Sequence, residues 1–221
     1  MDYHALNWLH GLCAALAIGG DLARVLASRW LIDARLAPEA RALAARLLDL
    51  QSRWQWACVV LLLPSGLTLA WRSGWLVQDA QGILAFWAYC AGWGWIAHRV
   101  HVGPAAVSER MRQLDTLLPL ALMLGLGWML LRSALGHGPI VHAPWLWTKT
   151  AIYLGVLGLL LWNQRQSPTI TALVARLQAS ALDVAAETAL RRSVRQQMAR
   201  SAAIWLGLAL SMLLGLGKWP A

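Results

Sequence analysis

Charged residues are scarce in this chain. Only 13% of its 221 residues are Asp, Glu, Lys or Arg, whereas about 25% is usual in soluble globular domains. Hydrophobic residues make up 59% of the sequence, and they gather into runs long enough to cross a bilayer. The composition excludes an ordinary soluble fold. It predicts an all-α polytopic membrane bundle that forms a single domain over residues 1–221.

Acidic residues and phenylalanine are also few. The chain has ten Asp and Glu residues and 19 Lys and Arg residues, which gives a formal net charge of +9. Because the arginines fall in short loops between apolar segments, we interpret this charge as a membrane-orientation signal and not as a nucleic-acid surface. A single Phe stands beside 15 Trp, and an excess of Trp is typical of side chains placed at the membrane–water interface.

Cysteine is limited to three residues, Cys13, Cys58 and Cys90, each within or beside an apolar segment. Their spacing fits neither a zinc site nor a disulfide framework. The sequence contains no Cys-x-x-Cys-His motif, so covalently attached c-type haem is not indicated.

Six apolar segments predict about six transmembrane helices. The first has no basic stretch before it and no small-residue cleavage site after it, so we expect it to be retained and not removed as a signal peptide. Polar, helix-prone stretches separate the first segment from the second and the fifth from the sixth. The first of these stretches is predicted to be an amphipathic surface helix or the long ends of the spans. The second is predicted to be a linker. The predicted spans are residues 6–26, 54–71, 82–97, 114–131, 145–162 and 201–216.

The distribution of arginine predicts the orientation. Most arginines lie in the connections after the first, third and fifth segments, while the connections after the second and fourth carry only Arg72 and Arg132. By the positive-inside rule both termini lie outside. In a Gram-negative bacterium this topology corresponds to the inner membrane with both termini in the periplasm.

The first segment carries a polar stripe through otherwise apolar sequence. At about 100° per residue, one face collects small and polar side chains, and lipid cannot solvate a charge, so this face must meet other helices or a cavity. Asp21 pairs with Arg24 three residues on, or relays protons inward. His10 either binds a ligand, transfers protons or makes a structural hydrogen bond. The stripe consists of His10, Cys13, Ala14, Ala17, Asp21 and Arg24.

The fifth segment places Lys149 and Tyr153 on one face. The predicted orientation brings Lys149 to the depth of His10, where it either extends to the surface or serves a shared site. Histidine is a common axial ligand of haem iron, and the small side chains of Ala14 and Ala17 leave room for a flat ring. The pattern therefore predicts a haem b site in which Lys149 ligates the iron or pairs with a propionate.

Copper is the alternative cofactor. Imidazole and soft sulfur groups bind copper, so His10 and Cys13 would combine with the loop histidines His137 and His142. Those two histidines lie among Gly and Pro in a predicted outer loop, where an ordinary exposed loop is the competing interpretation. A third hypothesis needs no cofactor: the polar stripe holds helices together in a membrane assembly subunit.

Three short motifs resemble one membrane superfamily. They are LHGL at residues 9–12 with Gly19-Gly20, the pattern WLWTK at 145–149 with NQR at 163–165 and Pro168, and RRSVR at 191–195 before the last segment. The sequence thereby resembles CopD copper-resistance membrane domains and HemJ protoporphyrinogen oxidases. The resemblance implies that His10 and Lys149 serve b-type haem in electron and proton transfer. Implied partners are the lipid bilayer, a quinone and a periplasmic redox or copper protein.

Overall fold

The computed structural model describes residues 2–101, 108–140, 143–178 and 184–216, apart from the side chains of residues 21, 167, 168 and 216. Six α-helices make up nearly all of this part of the chain, and its only extended pairing is an isolated bridge between Leu76 and Ile140. The predicted all-α bundle is confirmed. The helices are α1 (Tyr3–Ile32), α2 (Pro38–Arg72), α3 (Ala80–His101), α4 (Glu109–Ala134), α5 (Pro144–Gln178) and α6 (Val184–Leu216).

All six helices are longer than the apolar segments that predicted them, and α2, α5 and α6 exceed their segments most. α1 and α2 extend almost to each other, as do α5 and α6. The first of the two polar stretches therefore forms long ends of the spans, one of its two predicted alternatives, and the stretch predicted as a linker is mostly helical as well. Ala, Leu and Arg favour helix, and Pro38 occupies the first helical position, where its missing N–H costs nothing.

The extensions are helical because they bury an apolar face of their own. Nine buried side chains from α1, α2, α5 and α6 form a second core, separate from the main one, in what we call the extension end of the bundle. Isolated helices are marginal in water, and such packing supplies most of their stability. The nine are Ala27, Leu31, Ala44, Leu48, Leu173, Leu177, Ala186, Leu190 and Val194.

The helices form a ring. Each packs against the next, α1 packs against α6 to close the ring, and α2 also contacts α5 across it. At the end opposite the extensions, the α2–α3 and α4–α5 connections meet, where the N–H of Val77 donates to the carbonyl of Pro139 at 2.8 Å. The starts of α1 and α5 and the ends of α2 and α6 therefore lie together at this end.

The outer surface of the bundle is apolar. On α1, the large side chains of Leu12, Leu16 and Leu22 are exposed, as expected for residues away from the polar stripe. In the described part of the chain, α1, α2, α4, residues 144–166 of α5 and α6 are long and apolar enough to cross a membrane. These five helices fit contact with a lipid bilayer. The count of six spans and the outward termini stay predictions.

Candidate functional site

A cavity of about 260 Å³ opens between four helices at the end opposite the extensions. α1 and α5 contribute their first turns and α2 and α6 their last, so the antiparallel order of the ring creates the space. Most of the lining is apolar, with a few polar groups from three of the helices. The lining includes Tyr3, His10, Gly11, Ala14, Leu63, Gly66, Trp145, Lys149, Tyr153, Ser211 and Met212.

His10 is held by α2 through one ring nitrogen. Its Nδ1 lies 2.9 Å from Oγ of Ser65. That hydroxyl donates its proton to carbonyls of its own helix, at 2.6 Å to Leu61 and 3.2 Å to Leu62. The hydroxyl oxygen can then only accept from His10, so Nδ1 carries the hydrogen. We therefore assign the Nδ1–H tautomer, which leaves the lone pair on Nε2, a nitrogen that commonly binds metals.

Gly66 lets the imidazole lie directly on the backbone of α2. A Cβ atom at this position would come within 2.9 Å of Cε1 of His10. Real Cβ atoms essentially never approach that closely, so any side chain here would displace the ring. Ser65 fixes the orientation of the ring and Gly66 makes room for it, and sequence analysis singled out neither residue.

Tyr153 and Lys149 reach the same cavity from α5. The Tyr153 hydroxyl donates to the carbonyl of Val59 at 2.7 Å, which ties α5 to α2 beneath the cavity. Lys149 extends toward the end of α6, where its Nζ would lie 3.0 Å from a Cβ atom added to Gly215. The structure thus brings His10, Lys149 and Tyr153 into one cavity, while their chemical roles stay predictions.

The small residues of the α1 stripe divide between the cavity and the core. Ala14 lines the cavity, whereas Ala17 is fully buried in the main core. Cys13 is also buried there, in the same core cluster as Cys58 of α2. Cys13 therefore lies just below the cavity and is not part of its lining.

Of the other predicted copper ligands in the described part of the chain, His137 does not line the cavity with His10. His137 is exposed in the α4–α5 connection, where its N–H donates to the carbonyl of Arg132 at 2.9 Å. His142 lies outside the described residues. Across the residues that the structure describes, no group of three or more His, Cys, Asp or Glu side chains is arranged to hold a metal ion.

The inner part of the stripe is only partly described. The side chain of Asp21 lies outside the described residues, so its pairing with Arg24 and its proton relay stay predictions. Arg24 is buried, and its Nη2 donates to Oγ of Ser52 at 2.8 Å and to Oε1 of Gln55 at 3.0 Å. This guanidinium binds α1 to α2 two turns and more below the cavity.

A second polar cluster lies between the end of α3, the start of α4 and the middle of α5. His101, Asp115 and Gln164 meet there, and Asp115 is only 3% exposed. Sequence analysis assigned none of the three to a site, although Gln164 belongs to the NQR motif at 163–165. The available signal was one carboxyl group at the start of an apolar segment, which is a costly position without a partner.

Comparison with known proteins adds no further information. No protein-family model matches the chain, and no curated protein or solved structure is significantly similar to it. The resemblance to CopD and HemJ proteins therefore stays a prediction from short motifs. The function has to be inferred from the chemistry of the cavity.

Proposed function

We propose that the cavity binds haem b through Nε2 of His10 and that the protein carries electrons in a membrane. The observation that carries this proposal is the hydrogen bond of Nδ1 to Ser65, which assigns the lone pair to Nε2. Metal-binding histidines almost always donate from their other nitrogen to a protein acceptor in this way. When bound, haem supplies one-electron chemistry.

The shape and lining of the cavity support a flat, largely apolar ligand. Ala14 and Gly66 keep the walls close to the helix backbones, and apolar side chains provide most of the surface. The volume of about 260 Å³ is just below the range of roughly 300–1,000 Å³ that is typical of ligand pockets. A macrocycle would therefore be enclosed only in part, with its polar edge at the mouth.

Lys149 and Tyr153 would hold the ligand without competing for the iron. The ammonium of Lys149, in the part of the cavity near Gly215, suits the carboxylate of a propionate. The hydroxyl of Tyr153 is already bonded to Val59, so this residue supports the cavity floor. His10 is then the one residue of the three whose free lone pair suits an axial ligand.

The visible absorption spectrum tests the proposal directly. Protein purified in detergent from haem-replete cells should show a Soret band, and His10→Ala should lose it. His4→Ala is the matched control, because His4 is on the same helix but exposed and outside the cavity lining. A colourless wild-type preparation, or a Soret band that His10→Ala leaves unchanged, would overturn haem binding at His10.

Copper is the second candidate, favoured by one feature of the cavity. Met212 lines it together with His10, and a thioether with an imidazole suits copper in its soft, reduced state. Stoichiometric copper that survives dialysis, without a Soret band, would select this alternative. Met212→Leu should then lower copper content and would leave a haem spectrum unaffected.

The proposed cellular setting follows from the charge pattern. Arginine-rich connections on the extension side support a bacterial inner-membrane protein with the cavity facing the periplasm. A quinone or a periplasmic redox protein would then exchange electrons at the cavity mouth. Protease accessibility of the α4–α5 connection in spheroplasts tests this orientation, and protection there would contradict it.

A further inference from the structure

We propose that His101, Asp115 and Gln164 form a proton-exchange site near the ends of α3 and α4 that lie away from the cavity. The site takes up one proton on the Asp115 carboxylate, and the Gln164 amide rotates to accommodate it. Three helices supply its three side chains. Its location is independent of the ligand proposed for the cavity, because Gln164 lies four turns along α5 from Lys149, about 22 Å at 1.5 Å per residue.

Two donors converge on a single carboxylate oxygen. Oδ2 of Asp115 lies 2.9 Å from Nε2 of His101 and also accepts a short hydrogen bond from Nε2 of Gln164. The two nitrogens are themselves only 3.1 Å apart. An ionised carboxylate has no hydrogen to donate, so this arrangement matches ionised Asp115 with both nitrogens donating to it.

The same arrangement leaves one buried acceptor unsatisfied. Oε1 of Gln164 is buried and has no hydrogen-bond partner among the described residues. Such an atom costs free energy, and the amide can exchange the positions of its oxygen and nitrogen by rotation. The rotated amide would place its oxygen where the nitrogen now lies, against Asp115 and His101.

Protonation makes the rotated arrangement favourable. A neutral Asp115 has an O–H that needs an acceptor, and Oε1 of Gln164 would accept it together with the N–H of His101. Without the added proton, the rotated amide would set two oxygens against each other. Proton uptake on Asp115 and amide rotation are therefore one event, and in each state the amide atom that faces Asp115 matches the protonation of its carboxyl group.

His101 connects this buried carboxyl group to solvent. Its side chain is 32% exposed, whereas that of Asp115 is 4% exposed. An imidazole can accept a proton on one side and donate on the other, which suits it to passing protons between solvent and a buried acid. A proton from solvent thus adds to Nδ1 of the His101 ring while the Nε2 hydrogen passes to Oδ2, and exchange of the ring with solvent then restores the Nε2–H tautomer; release runs in reverse.

Other charged groups surround the site without binding it. His98, Arg99, Arg112 and Arg165 lie on the same three helices and are exposed. On α6, Arg200 donates to Oδ1 of Asn163 at 2.6 Å and to Gln166, so its hydrogen bonds go to residues on either side of Gln164 and not to the cluster itself. The proton on Asp115 is therefore controlled mainly by His101 and Gln164.

Infrared spectroscopy of the full-length protein at different pH values tests the site. Beside the bands of its exposed carboxyl groups, the wild type should show a carboxylic-acid C=O band of a buried group whose amplitude changes with pH. Asp115→Asn should lose this band. His98→Gln is the control, one turn earlier on α3 and exposed, and should retain it, as should His10→Ala.

Gln164→Met separates proton exchange from a structural role. This variant removes the amide N–H that stabilises the ionised carboxylate, and hydrogen bonds to charged groups are stronger than those to neutral ones. The titration midpoint of the band should therefore rise by about one pH unit. No pH-dependent difference between wild type and Asp115→Asn would overturn the proposal. If Asp115→Asn fails to fold, an unchanged midpoint in Gln164→Met would do the same.

Discussion

The two ends of the bundle use buried polar groups in opposite ways. At the extension end, Arg41 joins two other helices: its Nε donates to the carbonyl of Leu31 at 2.8 Å and its Nη2 to both carboxylate oxygens of Glu187 at 2.9 Å. At the cavity end, His10 is bonded through Nδ1 and presents a lone pair on Nε2. A polar group that bonds to neighbouring helices holds those helices together, whereas a group that is fixed in place but keeps a free lone pair can bind a ligand.

Arg41→Met should give the largest loss of stability among these changes. It leaves the carbonyl of Leu31 without this donor and leaves the partly buried Glu187 with only the longer contact to Arg191, at 3.2 Å. We expect the free energy of unfolding to fall by about 3 kcal/mol, as when one member of a buried pair is removed. Denaturant unfolding in detergent, followed by circular dichroism, measures the change.

Arg53→Met is the control for Arg41. Arg53 pairs with Asp49 at 2.6 Å on the surface, where such pairs contribute less than about 1 kcal/mol. Equal losses for the two variants would mean that the Arg41 contacts do not hold the extension end together.

Gly66→Ala should have the next largest effect and should act on the cavity. The added Cβ meets Cε1 of His10 at 2.9 Å, so the ring must move, at a cost of about 1–3 kcal/mol. Displacement also weakens the hydrogen bond to Ser65, and haem content should drop. Unfolding and the Soret absorbance per protein measure the two effects.

Gly11→Ala is the control for Gly66→Ala, because both glycines line the same cavity. A Cβ on Gly11 meets nothing within 4 Å, and alanine favours helix over glycine by about 1 kcal/mol. This variant should be as stable as wild type or more so. A loss equal to that of Gly66→Ala would contradict a specific fit between Gly66 and His10.

Tyr153→Phe should have the smallest effect. It removes the hydrogen bond to the carbonyl of Val59 and should cost about 1 kcal/mol in unfolding free energy. Because that hydroxyl is already engaged, the Soret band should keep its position and intensity. Loss of the Soret band in Tyr153→Phe would instead indicate that Tyr153 binds the ligand. It would then contradict the contrast between polar groups that only hold helices together and polar groups that bind a ligand.

Periodicity predicted which faces of each helix turn inward. The α1 stripe packs inward at Cys13 and Ala17, and Leu12 and Leu16 remain outside. Alternation of the segments also brought His10 and Lys149 to the same end, where they line one cavity. Such predictions succeed because they need only the 3.6-residue repeat and the direction of each helix.

Contacts between helices were beyond this reasoning. Ser65 and Gly66 matter only because the register of α1 on α2 sets them against His10. Asp115 and Gln164 meet only because α4 lies between α3 and α5. A shift of one turn, about 5.4 Å, would separate each of these pairs, and nothing in a single helix fixes that register.

By itself, the sequence determined that the chain forms apolar helices and which side chains those helices must bury. Burial of apolar surface is favourable and exposed backbone in lipid is costly, so few other structures are possible. Only the tertiary structure decided which polar groups meet. It set His10 against Ser65 and Gly66 with its lone pair on Nε2, and it grouped Asp115 with His101 and Gln164 away from the cavity. The physical reason is that hydrogen bonds depend on tenths of an ångström between different helices, which the register of packing alone supplies.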